Sequence, residues 1–119
     1  MKRLSILVFL VFVLCSQVAF AASWYYIGPD LNGDQIYIDN ESVQKNNNYA
    51  IVWVKTIKPD NTVWQMQQKV DHIYKTITLM YVIVYDANGN VTDSGTDTDS
   101  TPIVPDSVGD MIYHAIWSN

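Results

Sequence analysis

Of the 119 residues 49% are apolar, and the first 21 differ from the rest, 16 of them being apolar. Residues 22–119 hold five lysines, no arginine and twelve carboxylates, a net charge of −7. That size closes one core without metal or disulfide staples. It excludes a multidomain enzyme and a polytopic membrane protein, and the scattered lysines exclude a nucleic-acid binder, which needs clustered cations to neutralise phosphates.

Lys2 and Arg3 precede an apolar run over residues 4–14, broken only by Ser5, and Ala19-Phe20-Ala21 precedes Ala22. A basic start, a greasy middle and a small-x-small end predict a signal peptide over 1–21, cleaved between Ala21 and Ala22, and hence an exported protein, periplasmic, secreted or at the cell surface. An uncleaved anchor would need roughly 20 apolar residues, and Ser16-Gln17 interrupts the run too early. No stable membrane span is therefore expected after processing. The only cysteine, Cys15, follows Leu14 where a lipidation signal wants a small residue, so plain cleavage fits better.

The domain expected over 22–119 is rich in Val, Ile, Thr, Tyr and Trp and has two leucines. Branched and aromatic side chains favour pleated backbone. Strands are predicted over Trp24–Ile27, Gln35–Asp39, Tyr49–Ile57, Thr62–Ile73 and Tyr74–Asp86, with a short one near Val91. The punctuation is Asp30-Leu31-Asn32-Gly33-Asp34, Asn46-Asn47-Asn48, Lys58-Pro59-Asp60-Asn61 and Asp86-Ala87-Asn88-Gly89-Asn90. Both faces of Tyr49–Ile57 are largely apolar, which predicts a central strand covered on each side. Thr62–Ile73 is more polar and reads as more exposed. In Tyr74–Asp86, Ile77, Leu79, Tyr81, Ile83 and Tyr85 are expected on one face. The polar stretch Thr92–Thr101 reads as a loop or an edge.

After Pro105 the period changes. Val108, Met111, Ile112, Ala115 and Ile116 form the stripe of an amphipathic helix, with Ser107 as N-cap and Asp110 answering it in a short capping box. A helix of about 11 residues is marginal alone, so it must lie on the sheet. The expected class is α+β: a single antiparallel, meander-like sheet of about six strands with one C-terminal α-helix packed on one face.

Tyr37-Ile38-Asp39, Trp53-Val54-Lys55, Val84-Tyr85-Asp86-x-Asn88-Gly89 and Pro105-Asp106-Ser107-Val108-Gly109 occur in that order. With the exported N-terminus, they resemble the surface-adhesin protein E family of small exported bacterial proteins, over nearly the whole of Trp24 to Trp117. The resemblance implies one antiparallel sheet with the helix on its concave side. It also implies binding to host matrix or serum proteins such as laminin, vitronectin and plasminogen; the founding member looks dimeric, so a homodimer is one expectation. Relatives often tether helix to sheet by a disulfide. Here Asp71 is followed by His72 and the end reads His114-Ala115-Ile116-Trp117, so the helix is expected to be held by packing alone.

For chemistry there is no cysteine after residue 21, no Gly-x-Ser-x-Gly and no His-Glu-x-x-His. His72 and His114, even with Asp71 or Asp110 added, read as ordinary polar histidines and not as a zinc site. Asp30-x-Asn32-x-Asp34, with Glu41 at the twelfth position, has calcium-loop spacing. It puts Gln35 where that loop needs Gly, so it and Asp86-x-Asn88-x-Asn90 read as plain turns. Asp93, Asp97 and Asp99 read as a solvated loop. No cofactor, metal or catalytic residue is expected. Rings with polar tips suit interfaces, and Trp64 and Tyr74 are the candidate residues for binding a protein partner through a sheet face. The expected function is a non-enzymatic binding protein for a host matrix protein or another exported protein, with a soluble periplasmic inhibitor or accessory subunit as the alternative.

Overall fold

Alternating apolar positions bounded by turn residues put most of this chain into strands. The computed structural model describes residues 22–117; the expected signal peptide, including Ala21 at its cleavage point, lies outside the described residues, and Ala22 is exposed. The strands are β1 (Trp24–Pro29), β2 (Gln35–Asp39), β3 (Gln44–Lys45), β4 (Tyr49–Ile57), β5 (Val63–Asp71), β6 (Thr76–Tyr85), β7 (Val91–Thr96) and β8 (Ser100–Pro102), followed by the helix α1 (Val108–Ile116). They form one antiparallel sheet in the order β1-β2-β4-β5-β6-β7, with β3 added beside β4 and β8 beside β6. The fold is α+β, an open antiparallel meander with one C-terminal helix among the described residues.

The core lies between the sheet and α1. Ile36, Ile38, Val52, Val54, Val70 and Ile112 are buried, and Val108, Met111, Ala115 and Ile116 pack against them. Ser107 caps the helix, its Oγ accepting the Asp110 N–H at 3.2 Å. Asp110 reaches back to the N–H of Asp106 at 3.0 Å, one residue earlier than a capping box would have it. Two glycines let the helix sit close. A Cβ on Gly28 would stand 3.2 Å from Met111 Sδ, and one on Gly109 would stand 3.0 Å from Ile77 Cδ1.

Three expectations need correction. Strand β1 continues through Gly28-Pro29, because the register shift between Tyr26 and Gly28 takes up Ile27 as the extra residue and Gly28, at φ +144°, still pairs with Ile36. Strand β5 is more exposed than β4, as expected, burying only Gln68 and Val70, and the meander sets it between β4 and β6. In β6 the expected one-sided row is split. Val70 pairs with Ile77 and Gln68 with Leu79, but Gln67 pairs with Tyr81, so Met80 is the extra residue of a bulge. Ile77 therefore packs on the core while Tyr81 meets Trp53 on the opposite face. Lastly, β4 is covered on one side only. Ala50, Val52, Val54 and Thr56 are buried, and Tyr49, Ile51, Trp53, Lys55 and Ile57 stay half-exposed.

Candidate binding face

That uncovered side can be followed strand by strand through the register. Lys55 of β4 pairs with Tyr37 of β2, which pairs with Tyr26 of β1. On the other flank Ile57 faces Val63, Lys55 faces Gln65, Trp53 faces Gln67 and Ile51 faces Lys69. Val63, Gln65 and Gln67 face in turn Tyr85, Ile83 and Tyr81 of β6. Side chains two apart on a strand share a face, so these residues form a continuous patch opposite the helix. A nine-residue strand is about 30 Å long and neighbours lie about 4.8 Å apart, giving the patch a footprint on the order of 700 Å².

Its rings are organised. Trp53 meets Tyr81 edge-on at 6.4 Å, and Tyr26 meets Tyr37 at 5.2 Å. The ammonium of Lys55 lies 4.6 Å from the Trp24 ring and 5.2 Å from Tyr37, and that of Lys69 lies 4.6 Å from Tyr49. Cation–π contacts of this kind hold long side chains flat and in place. Burial lowers the pKa of Lys55, the expected sign for an ammonium moved out of water.

Trp64 and Tyr74 are not brought together. Trp64 pairs with Thr56 and Val84, which places it on the helix side. There it is 37% exposed, and Lys58 lies 5.6 Å from its ring, over a cleft of about 210 Å³ shared with Met66 and Val108. Tyr74, 79% exposed, belongs to the turn beyond the far end of β5, where Asp71 accepts its N–H. The pair was chosen because rings with polar tips suit interfaces, but strand alternation turns Trp64 to the helix side and Tyr74 lies in the turn after β5. The rings that do converge, Trp53 and Tyr81 above all, are marked in the sequence by alternation across from Gln67.

The histidines do not converge on one site either. His114 pairs with Asp110 at 3.1 Å on the outer helix surface. His72 stacks on Trp117 at 4.8 Å, and its Nδ1 lies 2.7 Å from the Tyr113 hydroxyl, which also accepts from the Lys75 ammonium. Lys45 donates to the Ile116 carbonyl at 2.9 Å. These contacts join the ends of β3 and β5 to the last turn of α1, so the helix is held by a polar and aromatic latch as well as by packing.

The acidic turns are occupied by their own backbone. Asp30 Oδ1 accepts from Asn32 and Asp34, and Asp34 pairs with Lys58 at 3.1 Å. Asp86 Oδ1 accepts from Asn88 and Asn90. A cleft of about 420 Å³ lies between Asp30, whose Oδ1 is engaged in this way, and the helix start at Asp106, Ser107 and Val108. Among the described residues no three His, Cys, Asp or Glu side chains gather where they could hold a metal ion. None of the described helices is long and apolar enough to cross a membrane. No protein family, curated protein or solved structure matches the chain.

Proposed function

We propose that the chain is an exported, non-enzymatic binding domain that engages another protein through the uncovered face of its sheet. The observation that carries this reading is the patch of Trp24, Tyr26, Tyr37, Trp53, Tyr81 and Tyr85, left half-exposed because the only described helix packs on the other side. Tyrosine and tryptophan supply large contact area with few rotors to immobilise, and they dominate protein interfaces energetically. Export is supported by the charge and hydropathy pattern of residues 1–21. The ordered motifs from Tyr37 to Gly109 support kinship with the surface-adhesin E family, and with it matrix or serum proteins as partners.

Residues 22–119, immobilised and offered laminin, vitronectin and plasminogen in turn, are expected to bind at least one. The variant W53A/Y81A is expected to bind at least about tenfold more weakly, the loss of roughly 1.4 kcal/mol. Binding to none of the three, or equal binding by the variant, refutes the adhesin reading. A soluble periplasmic inhibitor or accessory subunit is the second reading, favoured by Leu14 in front of Cys15, which suits no lipid anchor. Recovery of the protein in osmotic-shock fluid, with none accessible at the cell surface, selects it.

A further inference from the structure

The five lysines of the described residues divide into two groups. Lys58 pairs with Asp34, Lys45 donates to the Ile116 carbonyl and Lys75 to the Tyr113 hydroxyl. Lys55 and Lys69 have no carboxylate within ion-pair distance and no hydrogen-bond partner among the described residues, and both stand on the uncovered face. In a domain with twelve carboxylates this is a local inversion of charge. Asp71, at the rim of the patch, is engaged by the N–H groups of Ile73 and Tyr74. We infer that this face docks on an acidic surface of a partner protein, with Lys55 and Lys69 reading its carboxylates across a bed of aromatic rings.

Lysine is depleted from interface cores because desolvating an ammonium is costly unless an anion meets it. Two ammoniums laid on rings within the patch therefore specify an anionic partner. A second copy laid face to face would oppose four ammoniums with no free carboxylate between them. The area, on the order of 700 Å², is close to the ~800 Å² that one side of a standard protein complex buries, and more than a short sugar chain would cover. Lys69 pairs with Ile51, four residues from Lys55 along β4, so the two lysines' backbone positions stand about 14 Å apart by strand geometry. An extended peptide with glutamates at i and i+4 spans nearly that distance.

The inference rests on the sheet-face reading, and its test separates the two. The probe is a twelve-residue peptide with a Glu-Thr-Tyr-Thr-Glu centre, compared with the same peptide bearing Gln for both Glu, with binding to residues 22–119 followed by tryptophan fluorescence. The glutamate peptide is expected to bind at least about tenfold more tightly than the glutamine one, and to weaken by about tenfold between 0.05 and 0.5 M salt. K55M/K69M, which keeps the apolar stems, is expected to erase that preference; circular dichroism and a second variant, K55Q/K69Q, guard against a folding defect. Loss in W53A/Y81A without loss in either lysine variant overturns the acidic partner and leaves the face. No change in any variant overturns both. Binding of neither peptide, preference for a polyuronate oligosaccharide, or self-association abolished by W53A/Y81A each overturns the inference.

Discussion

Three hairpin loops solve one problem with nearly the same residues. Asp30 to Asp34, Lys58 to Thr62 and Asp86 to Asn90 each close with a hydrogen bond from the first N–H to the fifth carbonyl and another from the fourth N–H back to the first carbonyl. The fourth residue must take a left-handed φ, and Gly33 (84°), Asn61 (67°) and Gly89 (86°) do so. An aspartate satisfies the remaining loop N–H groups, and ionisation strengthens those bonds. Asp86 is held below its ordinary pKa of 3.8 by the Asn90 N–H foremost, and Asp60 by the Thr62 hydroxyl and N–H. At Asp39 burial opposes ionisation, but the N–H groups of Ser23 and Glu41 outweigh it and hold the pKa down. A carboxyl lowered on folding stabilises fully above its unfolded value and loses that contribution as pH falls through the folded one. Urea midpoints should thus be flat above about pH 5 and decline from about pH 4 downward. Asp39→Asn should decline less steeply, and a variant as acid-sensitive as the parent would remove Asp39 from this account. At the latch, Tyr113→Phe deletes the hydroxyl shared by Lys75 and His72. A cost of about 1–2 kcal/mol in thermal unfolding is expected, and a cost near zero would mean the helix end does not depend on it.

The helix and its seat form the element on which the core depends. Nine residues cannot hold a helix in water unaided, and Ile112, 1% exposed, is the one buried side chain of the helix. Ile112→Ala should destabilise by ~2–5 kcal/mol in denaturant titrations; less than about 0.5 would show an undocked helix. The partner surface is sensitive in its own way. Gly28 combines a φ of +144° with a close approach to Met111, so Gly28→Ala should cost more than the ~1 kcal/mol typical of a glycine exchange. An unchanged melting temperature would mean that the bulge between Tyr26 and Gly28 relaxes to admit a side chain.

Taken as a whole, the molecule is asymmetric across its sheet. One face is sealed by α1, and the other offers rings and two unpaired ammoniums to solvent. Along the sheet, β5 is paired over nine residues on both flanks and β4 over nine on one flank and six on the other, whereas β7 and β8 are exposed edges. Amide exchange should be slowest in β4 and β5 and fastest in β7 and β8. Fast exchange in β5 would mean that the buried Gln68, whose Oε1 lacks a partner, loosens the centre of the sheet.

Alternation, turn chemistry and helical spacing act over a few residues, so they were written plainly in the chain: β2 and β4 to their limits, the Ser107 cap, the docking stripe from Val108 to Ile116 and the three loops. The bulge at Met80 and the latch of His72, Tyr113 and Trp117 depend on residues far apart in sequence. Local periodicity carries no signal for such pairings. The uncovered face is the clearest case. Its residues were visible as the second apolar side of β4, but only the placement of α1 decided which side would be sealed and which left open.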